Sequence, residues 1–207
     1  SGHQTAAVRA MSYMSPTAEV TDMVNGIDAY RLVEKLCDNY SEEVHADLIR
    51  KLKELSEILF RRENLMMDYT ADEKGYEGLE AQTAKFADAL YQTPVRKGTF
   101  TPVPVKKNEA FQTAGQVQYV CRAGNFRAKG LPYTGALRVL KVMMGYDYLW
   151  ANIRVKGGAY GCMSGYSKNG DAYFVTYRDP HLKRSVDVFE KTSRYLRSYE
   201  ADERTIT

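Results

Sequence analysis

Cysteine is scarce in this chain, and its three copies suit no disulfide framework. Cys37, Cys121 and Cys162 lie far apart, are odd in number and form no C-x-x-C pair. Such use of cysteine is typical of a reducing compartment, so we expect a cytoplasmic protein. Long apolar runs are missing as well, because no stretch approaches the roughly 20 apolar residues of a membrane-spanning helix. We therefore expect no membrane partner.

Histidine is also scarce, and its distribution excludes the common zinc motifs. The chain contains only His3, His45 and His181, and neither H-E-x-x-H nor H-x-x-E-H occurs. This chain should therefore hold no catalytic zinc by itself. Glu42 and His45 form one E-x-x-H, but a di-metal site needs two such helices and further glutamates. We interpret this pair as part of a solvated helix face and expect no metal ligands in this chain.

A large excess of one charge sign is absent. The sequence has 29 Lys and Arg against 26 Asp and Glu, a net charge of +3, with both signs mixed along 207 residues. Nucleic-acid binding usually requires a concentrated basic face. The basic loop at 96–107 has Phe100 as its single aromatic residue. We expect no nucleic-acid partner, and a basic binding module ranks third among the functional hypotheses. The length suits one large domain or two small ones.

Hydrophobic spacing and turn signals predict an α+β fold. Strands are expected at 7–14, 65–70 and 116–122, and helices at 26–39, 72–91 and 133–144, with Gly145 interrupting the last helix and Asp147 capping a short one after it. Ser41 should cap a further helix with an apolar stripe, formed by Val44, Leu48, Leu52, Leu55 and Leu59. The proline-containing stretch at 93–113 predicts a long crossing loop. We expect an antiparallel or mixed β-sheet with helices packed on one face.

A hairpin near the C-terminal end gives the clearest local pattern. Residues 159–167 and 171–178 are rich in β-forming side chains, and Asn169-Gly170 between them is typical of a type I′ turn. That turn would place Tyr166 opposite Tyr173, Ser164 opposite Val175 and Cys162 opposite Tyr177. Asp179-Pro180 then predicts the cap and first residue of a final helix. Its inner side would carry Leu182, Val186, Phe189, Ser193 and Leu196.

Several short stretches of the sequence are similar to known catalytic motifs but do not match them. The run from Gly161 to Gly165 reads G-x-x-S-G rather than the esterase G-x-S-x-G, and Ser164 falls inside a predicted strand. Cys162 lacks a local positive partner that would lower its pKa, which favours a buried structural thiol. Gly157-Gly158 followed by Gly161 matches neither G-x-G-x-x-G nor the P-loop, and a strand follows it. A phosphate loop is therefore excluded.

The remaining candidates are Arg154 and Tyr160, which flank this double glycine. By pattern alone, Arg154 near a helix C-terminus would offset the helix dipole by about 0.3–1 kcal/mol. Tyr160 would be one more aromatic residue on a tyrosine-rich strand. Pattern alone therefore favours a sharp bend with two structural polar neighbours over a substrate site.

A longer stretch of the sequence around these residues changes this interpretation. The run YDYLWANIRVKGGAYG at 146–161, with Tyr-Arg-Asp-Pro at 177–180, closely resembles the C-terminal part of the presequence-protease branch of the insulinase-like (M16) zinc metallopeptidases. The opening, Gly2-His3 followed by 8–15, resembles the first strand of that family's last domain. The likeness extends through 65–72 and 131–145, and so covers most of the chain.

The resemblance implies that this chain is one part of a longer protein and that the zinc site lies in another part. Members have four related α+β domains in two bowl-like halves that enclose a chamber, with H-x-x-E-H in the first domain. Residues 1–207 would be a single C-terminal domain of this kind, excised from the longer chain and truncated at its C-terminal end. Zn²⁺ would be bound outside this chain, which by itself should be inactive. The implied partners are peptide substrates and the N-terminal half of the same polypeptide.

The resemblance also gives roles to the flanking residues. Arg154 and Tyr160 match the family's R-x-x-x-x-x-Y motif, whose two side chains reach the peptide at the zinc site and stabilise the transition state. Gly157 and Gly158 would form the turn that positions them. The function so implied is the C-terminal part of a zinc metalloendopeptidase that degrades short or unfolded peptides. The alternative is a non-catalytic structural or processing-complex subunit of the same fold, distinguished by whether the parent chain keeps an intact zinc motif.

Overall fold

The chain forms two compact units in the computed structural model, which describes residues 1–96 and 98–200. The first unit contains Ser1–Leu32 and the chain from Thr101 onward, and the second contains Val33–Phe100. The boundary at Leu32 falls inside a helix, α3 (Ile27–Asp38), which confirms the helix expected at 26–39. That residues 1–207 act as a single domain stays a prediction.

An antiparallel sheet lies in the first unit. Its strands are β1 (Cys121–Asn125), β2 (Gly161–Tyr166) and β3 (Asp171–Tyr177), with β3 between the other two. Val175 and Thr176 of β3 are almost fully buried, as expected for β-branched residues on a central strand. Together with the helices that pack against it, this sheet confirms the predicted α+β fold.

The hairpin between β2 and β3 is confirmed, but its predicted register is wrong by one residue. Tyr166 pairs with Ala172, Ser164 with Phe174 and Cys162 with Thr176. A type I′ turn requires positive φ at both central residues, whereas here Gly170 has φ +98° and Asn169 does not share the left-handed conformation. The main-chain N–H of Ser167 donates to the carbonyl of Asp171 at 2.8 Å, so three residues form the loop.

The strand predicted at 7–14, and implied by the family resemblance at 8–15, is wrong. Residues 7–12 belong to α1 (Gly2–Ser12), and a short turn then leads to α2 (Pro16–Asn25). Alanine, methionine, glutamine and arginine are good helix formers, and a short alternating run does not distinguish helix from strand. α1 packs against β1 and β3, and Arg9 is buried between it and α2, where it pairs with Asp22.

The long helix before the hairpin differs from its prediction at both ends. α7 (Ala136–Met143) continues without a break into a π-helix, Met144–Val155. Gly145 does not interrupt it, and Asp147 lies inside the helix rather than at a cap. Because Met144, Leu149 and Ile153 are almost fully buried, packing outweighs the low helix propensity of glycine. They belong to the core of the first unit, with Val120, Tyr148, Ala159 and Phe189.

The elements flanking the sheet are shifted from their predicted positions. Within 116–120, Gln118 bridges Asp179 and the Val120 carbonyl accepts from the Thr176 N–H at 2.9 Å, but the strand proper begins at Cys121. The last helix, α8 (Leu182–Arg197), buries Phe189 as predicted but leaves Leu182 exposed. Asp179 is not its N-cap, since His181 holds that position. The Asp179 carboxylate instead accepts from the His181 N–H at 2.8 Å and the Ser185 hydroxyl at 2.6 Å.

The second unit is helical. α4 (Glu42–Leu59) begins where predicted, and the Ser41 hydroxyl accepts from the N–H of Val44 at 3.2 Å. The four leucines of its predicted stripe are 36–52% exposed. The single helix expected at 72–91 is wrong, because α5 (Glu73–Tyr76) and α6 (Leu79–Asp88) are separated at Gly78, which has φ +79°. Residues 65–70 are in neither a helix nor a strand, so that predicted strand is also wrong.

The crossing loop at 93–113 has no helix or strand in its described part, which omits Lys97, as predicted. No helix within residues 1–96 and 98–200 combines the length and apolar character needed to cross a membrane.

Candidate functional site

The site predicted around Arg154 and Tyr160 lies where the π-helix meets the hairpin. The helix ends at the double glycine, where the N–H of Gly158 donates to the Arg154 carbonyl at 2.9 Å and that of Ala159 to the Ile153 carbonyl at 3.1 Å. Gly158 has φ +77°, a conformation that glycine adopts without steric cost. A Cβ on Gly157 would lie 2.3 Å from the Ile153 oxygen. The turn therefore favours glycine at both positions, by conformation at Gly158 and by close packing at Gly157.

This turn brings the two flanking side chains together. The Arg154 guanidinium carbon lies 5.1 Å from the centre of the Tyr160 ring. Its Nη1 donates to the carbonyl of Tyr160 and, at 3.4 Å, to that of Ala159. Arg154 thus holds the first residues of the hairpin, a structural role that differs from the helix-dipole effect expected from pattern alone. Its Nε and Nη2 have no hydrogen-bond acceptor among the described residues.

Tyr160 presents its phenol to solvent beside this guanidinium. The residue is 63% exposed, and none of the described residues hydrogen-bonds its hydroxyl. Its N–H donates to the Arg178 carbonyl at 3.3 Å, which extends the pairing beyond β2. Its ring meets that of Tyr177 edge-on, with 5.5 Å between centroids. The side chain is therefore supported on one side and open on the other.

Arg154 and Tyr160 border a groove of about 440 Å³. The other side chains that line it are mostly aromatic or apolar: His3, Trp150, Cys162, Met163 and Tyr177. A concave apolar surface with a few convergent donors is the common form of a small-ligand or peptide site. This one offers a fixed cation and a phenolic donor, which suit the carbonyl oxygens of a peptide backbone.

Trp150, Tyr177 and His3 are among the groove residues that sequence reasoning missed. Trp150 precedes Arg154 by four residues, a spacing that places two side chains on the same side of a helix. Tyr177 reaches the site because it pairs with Gly161, a relationship hidden by the one-residue error in register. His3 lies on α1, and its ring contacts Tyr177 edge-on at 5.0 Å. The incorrect strand at the start of the chain concealed this third contact.

The nucleophile candidates behave as structural residues. Burial raises the pKa of the Cys162 thiol to about 11, the charge of Asp179 adds to the shift and that of Arg154 opposes it. Ser164 lies within β2 with its hydroxyl buried. Neither side chain is an activated nucleophile.

Metal ligands are not clustered in residues 1–96 or 98–200, where no group of three or more His, Cys, Asp and Glu could hold an ion. The Glu42–His45 pair stands 3.9 Å apart on α4, and Glu42 is 98% exposed. These two residues fit the predicted solvated face. The described part of the chain therefore does not fit a zinc centre.

Comparison with known proteins gives consistent matches. Residues 108–207 match the family described as the PreP C-terminal domain. The whole chain is 33% identical to Protein HypA of Clostridium perfringens and 29% identical to Presequence protease 1, chloroplastic/mitochondrial, of Arabidopsis thaliana. It is 30% identical, over 99% of its length, to the mitochondrial presequence protease of Schizosaccharomyces pombe. The chain covers 19–21% of these relatives, about a fifth of their length.

Proposed function

Because the chain belongs to the presequence-protease branch of the insulinase-like (M16) peptidases, we propose that it is the substrate-contacting C-terminal part of a zinc-dependent metalloendopeptidase. Its substrates would be short or unfolded peptides. The family resemblance implies that the zinc is held by the N-terminal half of the same polypeptide, and this sequence carries neither zinc motif. This chain by itself should be inactive.

The observation that carries the proposal is the convergence of Arg154 and Tyr160 on one groove. Hydrolysis of a peptide bond develops negative charge on the carbonyl oxygen, and preorganised donors stabilise that charge. The phenol of Tyr160 and the unused N–H groups of Arg154 are such donors. The two carbonyls that accept from Nη1 fix the guanidinium beforehand. Little reorganisation is then needed when the peptide reacts.

The groove supplies the second requirement, which is orientation. Its aromatic and apolar walls would hold a side chain of the peptide while the two donors hold the backbone. A peptide held by both its side chain and its backbone keeps its scissile carbonyl in one position, which lowers the entropic part of the activation barrier. Since the donors and the metal belong to different halves of the polypeptide, cleavage would require the halves to close around the peptide.

Substitutions in the full-length peptidase test these roles. Arg154→Ala and Tyr160→Phe should each lower kcat for a short peptide by about 10²–10³-fold, the typical cost of losing one charge-stabilising donor. Lys156→Ala is the matched control, because Lys156 is an exposed cation two residues further along the same turn. Unchanged cleavage in both site variants would refute the assignment.

The structural alternative predicts a different result. A full-length protein that is a non-catalytic subunit would bind no zinc. Neither this protein nor its variants would cleave peptides. Metal analysis of the purified full-length protein, together with its upstream sequence, separates the two functions. A cytoplasmic location also remains a prediction, and several relatives are named as mitochondrial or chloroplastic.

A further inference from the structure

Arg154 lies between two aromatic rings. Its guanidinium carbon is 4.9 Å from the centre of the Trp150 ring and 5.1 Å from that of Tyr160. Cations at this distance are attracted to the electron-rich face of an aromatic ring, most strongly to tryptophan. Arginine suits this arrangement, because its planar head can stack and still use its edge for hydrogen bonds.

Core packing does not explain why a tryptophan stands at position 150. The buried core of the first unit takes Met144, Tyr148, Leu149 and Ile153 from the π-helix, whereas Trp150 is 46% exposed. Its exposed surface faces the groove that Arg154 and Tyr160 border. The ring is therefore placed where it contacts the guanidinium rather than the core.

The hydrogen bonds of Arg154 complement this ring contact. Nη1 is held by two main-chain carbonyls, and the indole restricts the rest of the side chain. A long arginine side chain has many rotamers, and each contact removes some of them before a substrate arrives. Nε and Nη2 have no acceptor in the described part of the chain, so they remain available in a fixed direction.

We propose that Trp150 is a positioning residue that holds the Arg154 guanidinium in the orientation used to bind the peptide carbonyl. This inference rests on the proposed function and extends it, because Trp150 acts through Arg154. Its loss should leave a guanidinium that is still present but samples other rotamers. The effect should fall mainly on kcat rather than on KM, since orientation matters most in the transition state.

Three variants of the full-length peptidase separate positioning from general stability. Trp150→Leu should lower kcat/KM by about 3- to 30-fold, the range expected for one cation–π contact. Trp150→Phe keeps a ring and should recover most of that loss. Tyr146→Leu is the matched control, because Tyr146 lies four residues earlier on the same helix, is 77% exposed and has no place in the groove. Equal losses in Trp150→Leu and Trp150→Phe, or an equal loss in the control, would overturn the proposal.

A double-mutant cycle with Arg154→Ala tests the route of action. If Trp150 acts through Arg154, adding Trp150→Leu to Arg154→Ala should cause little further loss. If Arg154→Ala lowers turnover but Trp150→Leu costs the same with Arg154 present and with Ala at that position, Trp150 does not act through Arg154. That result would disprove the positioning role and leave the proposed function intact. Arg154→Ala without effect would instead disprove the role of Arg154 in the proposed function, and with it the positioning role of Trp150. Thermal unfolding of each variant shows whether the kinetic losses occur in a folded protein.

Discussion

Arg9 and Asp22 form a buried ion pair between the first two helices. Nη1 of Arg9 donates to Oδ2 of Asp22 at 2.6 Å, and the side chains are 9% and 2% exposed. The same guanidinium pairs with Asp28 at 3.2 Å and with Glu109 at 2.8 Å. One arginine thus connects α1, α2, the beginning of α3 and the crossing loop. The hydrogen bond with Glu109 contributes most to raising the pKa of Arg9, although burial opposes the shift.

We predict that Asp22→Ala destabilises the 207-residue chain strongly. Removing one partner of a buried pair leaves an uncompensated charge and typically costs about 3–5 kcal/mol. We expect the lower end of that range, because Asp28 and Glu109 still accept from Arg9. Urea unfolding measures the loss, with Asp47→Ala as the control, since Asp47 pairs with Arg50 and Lys51 on the exposed surface of α4. Equal effects of the two substitutions would contradict the prediction.

Glu109 should make stability depend on acid pH. Hydrogen bonds from Arg9 and then from Tyr13, with the charge of Lys107 as a smaller factor, lower the pKa of Glu109 from 4.5 to about 2. A carboxylate whose pKa is lower when folded stabilises the folded state above its unfolded pKa. That contribution is lost as the pH falls through the folded value. The affected window is therefore about pH 4.5 to 2.

Glu109→Gln isolates this contribution from the other carboxylates. Between about pH 4.5 and 2, the free energy of unfolding should fall more steeply in the natural sequence than in the variant. Above this window, the difference between the two proteins should be constant. Parallel curves throughout would show that Glu109 does not carry the pH dependence.

The Arg9 cluster also explains why the beginning of the chain was predicted incorrectly. The alternation of apolar and polar residues at 7–14 does not indicate the contacts of Arg9 with Asp22, Asp28 and Glu109. These three residues lie 13, 19 and 100 residues away from Arg9. Helix is favoured there because it gives Arg9 these partners and packs α1 against the sheet. In contrast, the helix at Ser41 and the hairpin follow from local signals and were predicted.

The candidate site shows the same distinction. The sharp turn at Gly157-Gly158 follows from a few consecutive residues and was predicted from them, whereas the pairing of Arg154 with Tyr160 at one site was implied only by the family resemblance. The contribution of Tyr177 depends on the register of the hairpin, and an Asn-Gly pair permits more than one loop length. His3 depends on how α1 packs, which is a tertiary result. The local turn was therefore predictable, and the opposite wall of the groove was not.

Gly170 should be the sensitive position of the hairpin loop. Its φ of +98° is unfavourable for any side chain, and a Cβ there would lie 2.5 Å from Oδ1 of Asn125 and 2.7 Å from Cβ of Arg127. Gly170→Ala should lower the free energy of unfolding by about 1–2 kcal/mol or more, the cost of a left-handed alanine. Gly124→Ala is the control, because a Cβ at that position in β1 meets nothing within 4 Å. Comparable losses would contradict this account of the turn.

The three thiols should differ in reactivity. Burial raises the pKa of Cys121 to about 12 and contributes most to raising that of Cys162 to about 11, whereas Cys37 is exposed on α3. Because the thiolate is the reactive form, a limited amount of iodoacetamide at about pH 8 should modify Cys37 first. Peptide mass spectrometry over time measures the order. Early modification of Cys162 would show that the groove exposes and activates this thiol.

Gly158 offers a test of the turn that orients the site. Its φ of +77° favours glycine, and among other residues asparagine adopts this region most readily. The space around it is open, since a Cβ added there would have Cγ of Pro180 as its nearest atom, at 3.8 Å. Conformation rather than crowding therefore limits this position. In the full-length peptidase, Gly158→Asn should retain most of the activity, and Gly158→Val should lose much of it.

Gly157 should respond in the opposite way. Its φ is not in the left-handed region, but a Cβ would lie 2.3 Å from the Ile153 oxygen, so the backbone must move for any substitution. Gly157→Ala should therefore shift Tyr160 relative to Arg154 and reduce kcat more than Gly158→Asn does. Peptide cleavage and thermal unfolding, measured on the same preparations, separate loss of alignment from loss of folding. If Gly157→Ala proved as active as Gly158→Asn, the turn would not be what aligns the two donors.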